Sequence, residues 1–347
     1  MKIGILSRAG QGYTTRRLVE AAKSAQHQVY VLDPFRFSLL ISAHPNTSQS
    51  TLCFRSDDSS LKTSTQAEVS TPVGDSATDT HGTSTTQELQ MLYDGALVDD
   101  FDLILPRLSI TTASFASEVV AHFETLGVPL LNKSQQILVA RHKFRSLRRL
   151  TEHGIPVIPS FTTGSPDFLE NSVSKIGAYP ILMKPFQGTH GRGLMLLDTA
   201  ISLRSSVEAM CELHQNYVVQ PFIGSSSGRD IRIIVIGGQA VAAMQRTAQV
   251  GEYRANFHRG GRGQLISISD QLRDLATRAT AAIGLEVAGV DLLETNGMQE
   301  DTAYAVLEVN PSPGLEEIEA VTQIGIAEAI IEHGERVAAE VRSLPMS

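Results

Sequence analysis

The stretch from 288 to 319 limits what this chain can fold into more than any other. It reads A-G-V-D-L-L, then a polar turn through Glu294 and Asn296-Gly297, then Y-A-V-L-E-V-N-P-S-P-G-L-E-E-I-E. Two apolar runs divided by a turn predict paired strands, with Asp291, Glu308 and Asn310 set into them as polar residues. Glu308 and Asn310 are two positions apart, so the strand period puts both on one face, and from a neighbouring strand Asp291 joins them. Two carboxylates and an amide carbonyl then converge. Such hard oxygen donors suit Mg²⁺, which keeps several waters and shares its shell with substrate phosphates. The same residues also suit ordinary polar positions on a half-exposed hairpin. The turn Pro311-Ser312-Pro313-Gly314 favours a site, because a stiff exit directly after the ligands fixes where the chain leaves the strand.

The 347 residues are enough for two or three domains. No apolar run comes near the ~18 residues a membrane span needs, so no membrane partner is expected. The segment from Met1 to Ser7 turns polar too soon for a signal peptide and reads as a first strand. Cys53 and Cys211 lie far apart in dissimilar surroundings, which argues against a disulfide framework or a zinc site and for a reducing cytoplasm. A formal net charge of -8 gives no reason to expect direct nucleic-acid binding.

Residues 2–7 read as a strand, 14–22 as a helix with a threonine cap and 29–33 as a buried strand, the spacing of a right-handed parallel unit. The turn at Gly10 to Gly12 lacks G-x-G-x-x-G, so no dinucleotide fingerprint is read there. From 47 to 86 the pattern dissolves: nineteen of those forty residues are Ser or Thr, too polar to bury an ordering surface. The segment 46–97 is accordingly expected to be mostly a flexible insertion within the first domain. Strand, helix and strand signals resume at 103–107, 114–126 and 128–132, with helices over 134–153. Prolines and glycines between 155 and 166 then mark a boundary into a second domain.

Further on, a strand over 180–185 carries Lys184 near its end and runs into F-Q-G-T-H-G-R-G. Gly188, Gly191 and Gly193 allow close backbone approach with free amide donors, which is how a loop cradles phosphate oxygens. It is not a Walker loop, since the lysine precedes the glycines; Lys184 supplies a point charge beside them. The strand at 217–223 runs into a bend that reads as an interdomain hinge. After strands at 230–236 and 240–246, Arg246, Arg254 and Arg259 fall within fourteen residues, with Asn256 and His258 between. Lying between strands that lead to the proposed metal ligands, these arginines favour phosphate or carboxylate binding over a merely solvated surface.

In this order the segments I-L-S-R, T-T-R-R-L-V-E-A-A, Pro106-Arg107, R-H-K-F-R-S-L, M-K-P-F-Q-G-T-H-G-R-G, R-D-I-R, V-A-A-M-Q-R, R-A-N-F-H-R-G-G, A-G-V-D-L-L and L-E-V-N-P-S-P-G-L-E resemble the ATP-grasp superfamily. The likeness is greatest to RimK-type ligases, which add glutamate to the C-terminus of a small-subunit ribosomal protein, and it spans nearly the whole chain outside the Ser/Thr-rich insertion. It implies an α/β (α+β) ATP-grasp fold: an N-terminal Rossmann-like parallel-sheet domain over 1–140, a central subdomain with a Gly-rich lid over 141–224, and a C-terminal subdomain with the metal ligands over 225–347.

For ATP the resemblance implies Lys143 and Lys184 at the phosphates, and Gly188, Thr189, His190, Gly191, Arg192 and Gly193 closing over them. Gln220, Pro221, Phe222 and Ile223 would line the adenine, Asp230 would face the nucleoside, and Arg254, Ala255 and Asn256 would reach towards phosphate and acceptor. Asp291, Glu308 and Asn310 would hold two Mg²⁺, with Mn²⁺ as a substitute, while Arg246, Arg254 and Asn310 would act on the reacting groups. The family has an acidic residue after the hinge glutamine; Pro221 removes that carboxylate and an amide donor, which alters base recognition. The implied chemistry activates a carboxylate as an acyl phosphate, which an amine converts to an amide. Implied partners are ATP, glutamate and a protein acceptor, with a homo-oligomer and neither nucleic acid nor membrane. Acceptors such as an amino-group carrier protein, a cofactor or a small peptide stay open. So does a catalytically silent ATP sensor, against which the intact D…E-x-N set argues.

Overall fold

The alternating strand and helix signals at the start of the chain become a parallel sheet. The computed structural model describes residues 1–42, 88–98, 100–108, 113–188, 193–226, 228–249, 261–295 and 303–343. The chain opens with β1 (Lys2–Leu6), α1 (Tyr13–Ser24) and β2 (Gln28–Leu32), followed by an antiparallel meander of β3 (Phe37–Ser42), β4 (Glu88–Tyr93) and β5 (Ala96–Leu97), and then β6 (Leu103–Pro106). β1 pairs in parallel with β2 on one side and β6 on the other. Residues 88–97 correct the expected extent of the flexible insertion, for they form strands. Met91 and Tyr93 are buried, and the Tyr93 ring sits 4.8 Å from that of Phe37, so this part of the segment has a core to join. Residues 43–87 lie outside the described residues.

The threonine cap expected on α1 is also absent. Gly12 is the N-cap, without a side-chain bond. Thr14 Oγ1 accepts from the Leu315 N–H at 3.0 Å, and Thr15 Oγ1 lies 3.1 Å from Ser7 Oγ, so both hydroxyls are spent on tertiary contacts.

Three helices follow, α2 (Ala113–Thr125), α3 (Ser134–Arg141) and α4 (Lys143–Glu152), with the expected strand at 128–132 reduced to one parallel bridge from Leu130 to Ile104. A separate layer consists of α5 (Leu169–Ile176), β7 (Ile181–Pro185), β8 (Met195–Leu197), α6 (Ala200–Glu212) and β9 (Tyr217–Pro221), its sheet ordered β8-β7-β9. The last part contains β10 (Arg229–Ile236), β11 (Gln239–Thr247), β12 (Arg262–Leu265), α7 (Asp270–Ile283), β13 (Val287–Glu294), β14 (Tyr304–Asn310), α8 (Glu316–Thr322) and α9 (Ile326–Ser343). Its five strands are antiparallel in the order β12-β11-β10-β13-β14.

Strand alternation on β10 sorts the core. Ile231, Ile233 and Val235 pack with Leu272, Leu275 and Ala276 of α7 and with Leu150 of α4. Ile234 and Ile236 point the other way and pack with Ile3, Ile5, Leu18 and Ile330. The parallel sheet and the five-stranded sheet thus share one core, and each fully buried aliphatic side chain contributes on the order of 1.5–3 kcal/mol. Asp230 and Arg232 extend the second row beyond that core.

Asn132 ties the same two sheets together by hydrogen bonds. Its Nδ2 donates to Val287 O and Pro311 O at 2.7 and 2.8 Å, and its Oδ1 accepts from the N–H groups of Glu286 and Val287 at 2.8 and 3.1 Å. The residue is buried at φ 76°, a left-handed conformation that asparagine tolerates. Asn132→Asp keeps shape and backbone preference but sets carboxylate oxygens against two carbonyls. It is expected to lower unfolding free energy by about 2–4 kcal/mol, measured by denaturant titration. A change below about 0.5 kcal/mol would show that the network is not a stabilising tie.

Candidate active site

The open end of the five-stranded sheet carries a row of charges set by strand register. Asp230 pairs with Arg246 across β10 and β11, Arg232 with Asp291 across β10 and β13, and Asp291 with Glu308 across β13 and β14. Side chains opposite one another in this way lie within contact reach. Arg246 donates from Nε and Nη2 to the two Asp230 carboxylate oxygens at 2.6 and 2.8 Å. Arg232 forks Asp291 in the same way at 2.8 and 2.7 Å, and Arg246 Nη2 also lies 2.9 Å from Asp291 Oδ2. Two cations and two anions close into a neutral quartet in which Arg246 is 3% exposed and Asp291 2%. Burial would raise the Asp291 carboxyl; the two guanidiniums outweigh it and hold it down at about 2.

Glu308 and Asn310 reach the same side of the sheet through a β-bulge. Register shifts between Asp291 and Leu292, so Val306 and Val309 both serve the α7-side core while Glu308 stays opposite Asp291 and Asn310 opposite Gly289. A Cβ on Gly289 would come 2.9 Å from Pro313 Cβ, so only glycine there lets the Pro311–Gly314 turn fold back so tightly. Asn310 Oδ1 accepts from the Ser312 N–H at 3.0 Å. The donor set fits a hard divalent cation: an ionised Asp291, a neighbouring carboxylate on Glu308 and the remaining lone pair of Asn310 Oδ1. Arg232 and Arg246 occupy much of Asp291, which leaves Glu308 with the freer oxygens.

The three-stranded layer brings lysine to this row. Lys184 lies near the end of β7, where burial pushes its pKa down to about 8; Glu308 and Asp230 are near enough to raise it and Lys143 to lower it. Lys143 opens α4 and donates from Nζ to Gly188 O at 3.1 Å, and its backbone N–H donates to Phe186 O at 3.0 Å. The Phe186 ring stacks on Phe144 at 6.0 Å. The root of the glycine-rich hairpin is therefore strapped to α4, and Gly193 at φ 74° begins its return. Thr189, His190, Gly191 and Arg192 lie outside the described residues, as do Arg254, Ala255 and Asn256.

At the bend after β9, Gln220 is buried and its Nε2 donates to Ser160 Oγ at 2.8 Å. Pro221 pairs with Ile181, the Phe222 N–H donates to Pro180 O at 3.0 Å, and Ile223 packs with Ile158 and Ala305. Asp230, expected at a nucleoside, gives both carboxylate oxygens to Arg246, and Arg246, expected on reacting groups, is buried between Asp230 and Asp291. Arg232 was missed as a site residue. Its position two residues after Asp230 on a strand was the available signal, since that spacing puts both on one face.

Comparison with known proteins fits this architecture. Residues 140–333 match the RimK-like ATP-grasp domain, and residues 1–51 and 77–137 match the RimK PreATP-grasp domain. A probable alpha-L-glutamate ligase of Hydrogenovibrio crunogenus is 36% identical over 332 residues, covering 95% of this chain and 94% of the relative. One from Pseudomonas fluorescens is 35% identical over 336 residues, covering 97% and 96%. Among solved structures, the ATP-grasp ligase PsnB complexed with minimal precursor, Mg and ADP superposes with a TM-score of 0.62 at 18% identity over 98% of both chains. D-alanine--D-alanine ligase from Bacillus anthracis complexed with ATP gives 0.61 at 16% identity over 99% of this chain and 98% of that one. At such identities the likeness is one of fold. With both domain families matched in order and relatives alike over nearly their whole length, this chain belongs to the RimK-like ATP-grasp ligases.

Proposed function

We propose that this ligase joins a carboxylate to the amino group of glutamate at the expense of ATP, with the C-terminus of a ribosomal protein as the acceptor. The observation that carries the reading is the approach of Lys184, near Lys143, to Glu308 and Asp230 of the charged row on a different sheet. Cations from one layer and oxygen donors from another suit a metal-bound nucleotide. The glutamate ligases of similar sequence supply the amino acid.

The reaction runs in two displacements. An acceptor carboxylate oxygen attacks the γ-phosphorus and ADP leaves; the glutamate amine then attacks the acyl carbon, loses a proton and expels phosphate. Phosphoryl transfer needs mainly positioning and charge neutralisation. Lys143 and Lys184 would hold the phosphates, and the glycine-rich segment 188–193 is assigned the covering role that would keep water from the acyl phosphate. Gln220 to Ile223 border the base, with Asp230 fixed beside the nucleoside by Arg246. To Arg254, Ala255 and Asn256, which lie outside the described residues, the family resemblance assigns a role towards phosphate and acceptor. Asp291, Glu308 and Asn310 would hold two Mg²⁺, or Mn²⁺ in their place, and the metal when bound neutralises phosphate charge. The quartet keeps Asp291 ionised and aligned. No helix among the described residues is long and apolar enough to cross a membrane. We place the enzyme in the cytoplasm as a homo-oligomer built from three units, 1–140, 141–224 and 225–347.

Incubation with ATP, Mg²⁺, glutamate and a candidate ribosomal protein should add whole glutamyl residues to its C-terminus, read by mass spectrometry. Glutamate-dependent phosphate release with no change in that protein would move the acceptor elsewhere. Two variants separate metal binding from structure. Glu308→Gln is expected to lower kcat by about 100-fold or more with unfolding free energy within about 0.5 kcal/mol of the parent. Asp291→Asn should lose comparable activity and also about 3–5 kcal/mol of stability, because it strips the counter-ion from two buried guanidiniums. Equal stability of the two variants would contradict the quartet.

Lys184 gives a pH signature. Its pKa is about 8 in the free protein, and a bound polyanion favours the charged form, so nucleotide binding takes up protons near and above that pH and weakens as pH rises through it. Calorimetry of ADP binding in metal-free buffers of different ionisation enthalpy should show uptake of about half a proton at pH 8, lost in Lys184→Met. No proton uptake in the parent protein would remove Lys184 from the phosphates.

A further inference from the structure

Outside the quartet, Arg107 and Arg141 lie close together with no carboxylate among the described residues within ion-pair distance. Arg107 directly follows β6, and its Nη2 donates to Pro313 O at 2.7 Å, in the turn that leaves Asn310. Arg141 ends α3, 8% exposed, and its Nη2 donates to Leu108 O. Arg141 Nε and Nη1 are buried without any hydrogen-bond partner. Among the described residues neither guanidinium has a carboxylate within ion-pair distance, and each lies close enough to the other's charge for Arg141 to depress Arg107. Burial pushes both down to about 10. Arg141 is buried and Arg107 half-buried, and like charges left uncompensated there are costly, whereas Arg246 of the quartet is buried and fully paired.

Their place in the fold points to a ligand. The chain runs from β1 to β2 on one side of the parallel sheet and returns as β6 on the other, so the crevice beyond the carboxyl ends of β1 and β6 is the switch point of that sheet. Arg107 sits there, with its N–H on Leu6 O at 2.9 Å. Arg141 is two residues before Lys143, which grips the root of the glycine-rich hairpin. Arg107 therefore meets the turn behind the proposed metal ligands, and Arg141 lies next to the segment that carries Lys143. Guanidinium forks match a planar carboxylate in two-point contact.

We propose that Arg107 and Arg141 form a carboxylate-binding subsite at the edge of the parallel sheet, which holds a non-reacting carboxylate of a glutamyl substrate. This rests on the ligase reading. The carboxylate belongs either to free glutamate or to an acidic acceptor terminus, and the experiment separates these sources.

The test combines binding and kinetics on the full chain, with Arg141→Met and Arg107→Lys as variants. Addition of L-glutamate, or of a peptide ending in two glutamates, is expected to raise the unfolding temperature of the parent protein, and Arg141→Met should lose that shift for one of the two probes. In turnover, the KM for that same probe should rise about 30- to 100-fold, the other KM and the Kd for ADP staying within about twofold. Arg107→Lys keeps the charge without the fork and should fall between. The unfolding temperature of ligand-free Arg141→Met should equal or exceed that of the parent, since an unpaired buried charge is gone. A lower temperature with both KM values unchanged would mark Arg141 as a structural carbonyl ligand and overturn the proposal. Loss of the glutamate shift in the variants of a protein that shows no turnover would uphold the subsite while removing the ligase reading. Normal turnover with neither KM nor shift altered would do the reverse.

Discussion

The arrangement of the site depends on the closed quartet of Arg232, Arg246, Asp230 and Asp291. Removing a single ion from water costs several kcal/mol even after relaxation, so four charges in the interior are tolerable only with near-complete mutual neutralisation. Forked contacts at 2.6–2.9 Å across three strands achieve it. The consequence is positional. Each strand of β11, β10 and β13 is pinned to its neighbour at the open end of the sheet, where apolar packing has run out, and register cannot slip without exposing an unpaired charge. Glu308, next along the row, inherits that registration.

The frame behind the row is rigid for a different reason. Ile234 and Ile236 from the five-stranded sheet and Ile3 and Ile5 from the parallel sheet belong to one buried cluster, and Asn132 closes four hydrogen bonds across the same boundary. On the far side Glu319 accepts from Arg17 Nε and Tyr13 Oη at 3.1 Å each and from the Ala327 N–H at 3.0 Å, while Arg17 also grips Glu328 at 2.8 Å. Segments about 300 positions apart in sequence are thereby fixed against each other. The switch point of the parallel sheet is carried to the turn behind Asn310 by this packing.

Much of this was legible in the sequence wherever the signal was local and periodic. The two-residue spacing of Glu308 and Asn310, the lysine before the glycines and the apolar runs at 288–293 and 304–310 each predicted their element from a few neighbouring residues. What escaped depends on pairing at long range. Nothing within 88–97 says that Met91 and Tyr93 find Phe37 across fifty residues of polar chain. Thr14 and Thr15 look like caps because the partners that claim them, Leu315 and Ser7, lie elsewhere in the fold. Arg246 read as a ligand-facing cation because composition shows its charge but not the two aspartates that surround it. The bulge at Leu307 was hidden too, since a strict period of two would have carried Val306 and Val309 to opposite faces.

The layer that carries Lys184 is joined to the rest more sparingly. It has a core of its own around Ile181, Met183, Val207 and Val219. Its neighbouring chain meets the five-stranded sheet through the small cluster of Ile158, Ile223 and Ala305 and a single bridge between Val157 and Val306. Where apolar contact is this slight, electrostatics weighs more in setting how the two layers meet. The quartet sums to zero, so Glu308 is the carboxylate of the row that acts most on Lys184, and burial has already made the Lys184 cation uncomfortable. A polyanion placed there would satisfy the lysines, and a divalent cation held beside Glu308 and Asn310 would in turn satisfy the polyanion. Neither half of the cleft offers both. A ligand that met both sets of groups would therefore also favour contact between the two layers, and its binding would be coupled to assembly of the site.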